Sequence, residues 1–234
     1  MNIMQIKLIE AEGRERAYRL RMPFRFGVKT HGRQAIMRVR IRLQDGREAE
    51  GCSAEALGAK WFDKDLALSD DENHHQLRKS LELASEAYLS SPAAAPFALF
   101  ADNYDNHVAA CGRLALNPLI ASYGQSLVDR AILDALCRAL DISFYQAMRS
   151  NLVGLTPHPV APELDGFDMA SLFHNPSMCA TRWGLPTPFL FLIFRQICGS
   201  PTACLKRWRK WSRPTRIALS RSRSAAMRPR TWIG

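Results

Sequence analysis

The residues able to do chemistry are scattered along this chain, and few share a spacing that a reaction would need. Cys52, Cys111, Cys137, Cys179, Cys198 and Cys204 form no C-x-x-C pair, so isolated reduced thiols are expected in place of a zinc or dithiol site. His74-His75 falls on the charged side of a helical pattern, which favours solvation, and neither His31 nor His107 has a partner at ligand spacing. A phosphate-cradling glycine loop and a G-x-S-x-G elbow are both missing. The strongest chemical signal is basic. Lys206-Arg207-Trp208-Arg209-Lys210-Trp211 interleaves cations with indoles, a pattern suited to phosphate contact and base stacking. A second basic row, Arg38, Arg40 and Arg42, has Glu48 and Glu50 facing it across an expected hairpin, so it reads as a solvated sheet face.

The charge is unevenly distributed. Of 234 residues, the first 178 hold 20 Lys/Arg against 22 Asp/Glu, a net of −2, whereas residues 179–234 hold 12 Lys/Arg and no acid, a net of +12. With roughly one residue in eight acidic, an acid-free run of that length is expected about once in a thousand chains. Four of the five tryptophans lie in the same stretch. The longest apolar run, Phe189 to Phe194, is far below the ~20 residues of a spanning helix, and residues 1–25 carry charges throughout with no continuous apolar core. The expected setting is cytoplasmic, without membrane association.

The elements that must position any site are legible before residue 178. Ile3, Ile6, Leu8 and Ile9 suggest a first strand over 3–10. Ala35, Met37, Val39, Ile41 and Leu43 alternate with the arginines, giving a half-exposed antiparallel strand. Asp45-Gly46 supplies a tight turn, and Arg47 to Cys52 returns as the partner strand. Ser69-Asp70-Asp71-Glu72 reads as a capping box opening a helix whose stripe is Leu77, Leu81, Ala84 and Tyr88. Ser90-Ser91-Pro92 ends it, and a Pro/Ala-rich linker follows. A second helix is expected to open at Ser126 with Asp129, carrying Val128, Ile132, Leu136, Ala139 and Leu140 inward, and a short third one covers 143–150. Strands first and helices afterwards give an α+β fold: a small antiparallel sheet of about three strands under a helical layer.

These elements, in this order, resemble the N-terminal capping domain of the enolase superfamily, in its mandelate racemase/muconate lactonizing branch. The stretches that carry the resemblance are Arg21-Met22-Pro23-Phe24-Arg25-Phe26-Gly27, Asp45-Gly46-Arg47-Glu48, Gly51 with the loop to Lys60-Trp61-Phe62-Asp63-Lys64, and the helix from Ser126 to Leu136. The resemblance covers roughly residues 3–178. It implies a capping domain over residues 1–150 that leads into a barrel-entry helix, and a connection over 151–178. In the family, a (β/α) barrel holds Mg²⁺ on three carboxylates, and a lysine or histidine base removes the proton α to a carboxylate. The base often belongs to a K-x-K motif on the second barrel strand. The cap closes the site through two loops, here about Phe24–Gly32 and Cys52–Asp63. The resemblance therefore implies Phe26, Lys29, Thr30 and Lys60 as substrate contacts, a small carboxylate as substrate, and a possible homo-oligomer.

The chain departs from that pattern where a barrel should begin, since residues 179–234 hold neither a carboxylate triad nor K-x-K. No catalytic residue and no metal ligand is assigned, and no cofactor is expected in this chain, with Mg²⁺ kept for the parent family. The genetic code offers a reason. Taking the last base of each codon with the first two of the next, Cys179 to Thr187 can spell R-H-T-V-G-L-A-D. The Trp183–Gly184 junction forces the glycine there. Ala203 to Thr215 permits L-L-E-E-V-A-Q-V-V-A-P-D, an amphipathic helix with its acids restored. From Ala218 onward the shift permits F-K-V-K-V-S-G-D, similar to the family's second barrel strand with both lysines. The expectation is a truncated or frameshifted family member, inactive as written, with 179–234 an out-of-frame tail. The alternative is a basic-tailed nucleic-acid-binding protein. A weaker third reading is membrane association through Phe189–Phe194.

Overall fold

The alternation from Ala35 to Leu43 builds the centre of the molecule. In a computed structural model, which describes residues 3–24, 29–65, 67–157 and 161–167, three antiparallel strands run β1 (Ile6–Phe24), β2 (Lys29–Leu43) and β3 (Glu48–Ala56), in the order β1-β2-β3. Ala35, Met37, Val39, Ile41 and Leu43 are buried under the helices, while Arg38, Arg40 and Arg42 face outward. The arginine row meets acids from both neighbours: Arg38 pairs with Glu50, Arg40 with Glu10 and Arg42 with Glu48. The turn at Asp45-Gly46 closes with Leu43 N–H donating to Arg47 O at 2.8 Å and Gly46 N–H to Leu43 O at 2.9 Å, Gly46 standing at φ +87°.

β1 is much longer than its apolar pattern suggests, because a bulge at Ile9 changes its phase. Leu8 pairs with Ile41 and Glu10 with Arg40, which leaves Ile9 as the extra residue. Before the bulge the even-numbered Ile6 and Leu8 are buried; after it Ala11, Gly13 and Glu15 take the inner face and Glu10 and Glu12 the outer one. β3 pairs with β2 only between Gln34 and Arg42, so β1 and the start of β2 continue beyond it as a two-stranded ribbon. The expected loop from Phe24 to Gly32 is corrected accordingly: both strands extend into it, and only residues 25–28 separate them.

The helical layer comprises α1 (Ala59–Phe62), α2 (Asp70–Ser90), α3 (Pro96–Arg113), α4 (Pro118–Leu140) and α5 (Phe144–Arg149), followed by a short 3₁₀ turn, Pro162–Leu164. The Ser69/Glu72 box caps α2, and its stripe Leu77, Leu81, Ala84 and Tyr88 is buried, as the spacing predicts. Ser143 and Gln146 form a second box on α5. Two expectations need correcting. The expected linker after Pro92 contains α3, and α4 begins at Pro118 under an Asn117 cap whose side chain accepts from Ile120 N–H at 2.9 Å. Ser126 and Asp129 therefore lie mid-helix. α4 crosses the inner face of β3 at very short range: a Cβ on Gly51 would stand 2.2 Å from Ala131 O and 2.3 Å from Ala135 N. Ser80 Oγ ties α2 to α4, donating to Ala121 O at 2.9 Å and accepting from Gly124 N–H at 3.1 Å.

All described residues belong to the unit Met1–Leu185. The expected connection over 151–178 is described only in part, and the expected tail 179–234, the Lys206–Trp211 cluster included, lies outside the described residues. Among the described residues no helix is long and apolar enough to cross a membrane.

Candidate functional site

Of the residues implied as substrate contacts, Lys29, Thr30 and Lys60 lie on described elements, β2 and α1, near where β3 ends. There β3 finishes at Ala56 opposite Gln34, and Leu57 N–H donates to Arg33 O at 2.9 Å. The ribbon runs on from this point, while α1 follows β3 and packs against α2. Lys29 and Thr30 are strand residues of β2 in the ribbon, while Phe26 lies outside the described residues. Lys60, on α1, draws the α1–α2 loop together, its ammonium donating to Asp65 O at 2.8 Å and Leu68 O at 2.6 Å. α1 is pinned from the other side as well, by Asn117 Nδ2 donating to Phe62 O at 3.2 Å and by the Phe62 ring meeting Tyr123 edge-on at 5.1 Å.

This end presents large apolar and basic side chains to solvent. Trp61 is 61% and Met22 69% exposed, and Arg16, Arg19 and Arg21 of β1 lie along the ribbon. The ribbon is braced to the helical layer by one acid. Glu15, on the inner face of β1, accepts from Arg78 of α2 and from Arg33 of β2, the latter at 3.1 Å. Burial raises the Glu15 pKa, but the two guanidinium groups outweigh it and hold the carboxyl below its usual range.

A second cluster lies inside the helical layer, and sequence reasoning places its acid elsewhere. Tyr88 of α2 is fully buried and its hydroxyl donates to Asp129 Oδ1 of α4 at 2.8 Å. Burial pushes the Asp129 pKa up to about 7, the Tyr88 hydrogen bond acting in the opposite direction. Burial likewise raises the Tyr88 hydroxyl, with the adjoining carboxylate adding to it. The Ser126/Asp129 spacing reads as a helix start, yet Asp129 serves as a half-buried mid-helix acceptor instead. An acid within an otherwise apolar helical stripe is the signal that could have found it. Asp129 also lines a cavity of about 250 Å³ between α3, α4 and α5.

Other candidates are spoken for by their neighbours. His107 and Cys111 of α3 are buried with Nε2 and Sγ 3.6 Å apart, and Nε2 also meets Ala121 O at 2.9 Å. Burial lowers the His107 pKa and raises that of the Cys111 thiol, the reverse of what a thiolate–imidazolium pair requires. A wider depression of about 600 Å³ follows α4, but its Arg130 bonds Glu55 at 3.1 Å and its Arg138 bonds Asp134 at 2.9 Å. Among the described residues no group of three or more His, Cys, Asp or Glu could hold a metal ion.

Comparison with known proteins gives a likeness of fold in solved structures. No protein-family model matches the chain, and no curated protein matches it. An enolase from alpha proteobacterium BAL199 with bound Mg is 19% identical at a TM-score of 0.38, over 60% of this chain and 34% of its own. An L-talarate/galactarate dehydratase liganded with Mg and L-glucarate is 14% identical at a TM-score of 0.38, over 62% of this chain and 33% of its own. The chain spans about a third of the length of each.

Proposed function

We propose that this chain is the capping part of an enolase-superfamily enzyme of the mandelate racemase/muconate lactonizing branch, separated from its barrel by a change of reading frame near residues 177–179. One observation carries the reading: the codons of the basic tail permit, in a shifted frame, restored acids and then a K-x-K strand, behind an α+β unit whose β1-β2-β3 sheet and following helices have the order expected of the cap. The parent reaction is abstraction of the proton α to a carboxylate, of racemase, epimerase, dehydratase or cycloisomerase type, in a cytoplasmic enzyme able to form homo-oligomers.

In that enzyme Phe26, Lys29 and Thr30 of the ribbon contact the carboxylate substrate. Lys60 shapes the second capping loop through its two carbonyl partners and stands beside the substrate. Exposed Trp61 and Met22 exclude water once the barrel closes against them. The described residues do not fit a Mg²⁺ site, having no carboxylate cluster, so no step is derived through a metal. The chain as written binds and orients at most, and has no base in place.

Inserting one base, or deleting two, near codons 177–179 tests the proposal. The frame-restored protein is expected to exchange the α-proton of a carboxylate substrate with deuterated water in a Mg²⁺-dependent way, while the chain as written does not. Exchange by the present chain, or early stops in the shifted frame of the genomic DNA, overturns it. In the latter case the Lys206–Trp211 cluster becomes a genuine nucleic-acid contact.

A further inference from the structure

The cavity at Asp129 is the feature that neither the capping role nor the ribbon uses. Its walls come from Phe97 and Phe100 of α3, Ile132 of α4, Met148 of α5 and Leu155 beyond it, and Asp129 is the single polar side chain lining it. Tyr88 satisfies one carboxylate oxygen from behind at 2.8 Å. No second donor reaches the carboxylate among the described residues. A half-buried anion with one protein donor in an apolar wall is left to solvent for the rest of its compensation. A guest bringing N–H⁺ groups on an apolar body would supply both missing parts, a cation for Asp129 and aromatic filling for the phenylalanine walls. Size sets a further limit: a cavity of about 150 Å³ lined by apolar residues accepts benzene, so the volume of about 250 Å³ here suits one ring with a short arm.

We propose that this cavity binds a small arylalkyl ammonium ion, its ring between Phe97, Phe100 and Met148 and its ammonium on the Asp129 carboxylate. The site is independent of the family assignment, since its residues lie on α3, α4, α5 and the segment that follows α5. Among the described residues Tyr88 of α2 is the titratable group that meets Asp129, while α3 and α5 offer only apolar side chains to the cavity. Because the acid ionises only near neutrality, binding tightens as pH rises toward 8.

Calorimetric titration of the full chain with phenethylammonium, beside its neutral counterpart 2-phenylethanol, is the test. At pH 8 the ammonium is expected to bind at least about tenfold more tightly than the alcohol, as a charge-assisted hydrogen bond implies. Its affinity should fall by roughly tenfold per unit below pH 7. Asp129→Asn, which keeps an acceptor for Tyr88, should bring the two ligands to equal affinity. Equal binding of both ligands to the native chain, a flat pH dependence, or no binding of either would each overturn the proposal. All three outcomes are read on the native chain, so a folding defect in Asp129→Asn cannot mask the result.

Discussion

Replacing Asp129 with asparagine should stabilise the protein at neutral pH, an unusual outcome for a substitution inside a helical layer. The carboxyl titrates at 3.8 when free and near 7 when folded, because burial disfavours its charge. The folded state therefore binds more protons than the unfolded state between those values, and stability falls as pH rises through that window. The sign is opposite to that of a salt-bridged carboxylate. A displacement of about three units, at about 1.4 kcal/mol per unit, costs on the order of 4 kcal/mol once the group is ionised above pH 7. Below about pH 4 the cost vanishes. Asparagine carries no charge, and its amide oxygen can still accept from the Tyr88 hydroxyl, which donates to the native carboxylate at 2.8 Å. Urea unfolding followed by far-ultraviolet circular dichroism, at intervals from pH 4 to pH 8, reads the difference directly. The two proteins should be close in stability at pH 4 and separate progressively to about 4 kcal/mol at pH 8, or about 10 °C in Tm for a domain of this size. Parallel profiles, or a variant less stable at pH 8, would show that the native carboxylate is already compensated and refute the reasoning.

Other perturbations probe the sheet and its braces. Glu15→Gln removes a partly buried carboxylate shared by Arg78 and Arg33 and should cost about 2 kcal/mol at pH 7 by urea unfolding. Its folded pKa is depressed, so this contribution is present above the unfolded value and lost as pH falls through the folded one; the variant should converge with the native protein in acid. Gly51→Ala would force a methyl to within 2.2 Å of the α4 backbone, and a loss of about 3 kcal/mol is expected, with β3 displaced in amide exchange. Ser69→Ala leaves Glu72 N–H without its 3.3 Å partner and should lower stability by about 1 kcal/mol, accompanied by fraying of the first turn of α2.

Much of this fold follows from short-range patterns. The Ala35–Leu43 alternation, the Asp45-Gly46 turn and the Ser69/Glu72 box each identify an element because the local sequence and the tertiary environment ask for the same thing. β1 is readable only to Glu10 because the bulge at Ile9 reverses which residues face inward, and a strict period of two cannot continue through it. α3 is hidden because its N-cap, Ala95, makes no side-chain hydrogen bond, and because its buried face includes His107. α4 is legible from its apolar stripe but its start is not, since Asn117-Pro118 also reads as a turn. At the candidate site, the resemblance points to the ribbon end and to Lys60, whereas Tyr88 and Asp129 are 41 residues apart and meet only because α2 packs on α4.

The unequal strand lengths have a consequence for how this chain behaves among its own copies. β3 ends opposite Gln34, so the outer part of β2, from Lys29 to Gly32, has β1 on one side and no described strand on the other. Its outward backbone groups form a short template onto which another extended segment can add. With exposed Met22 on the neighbouring β1, that edge gives the chain a route to self-association by strand addition.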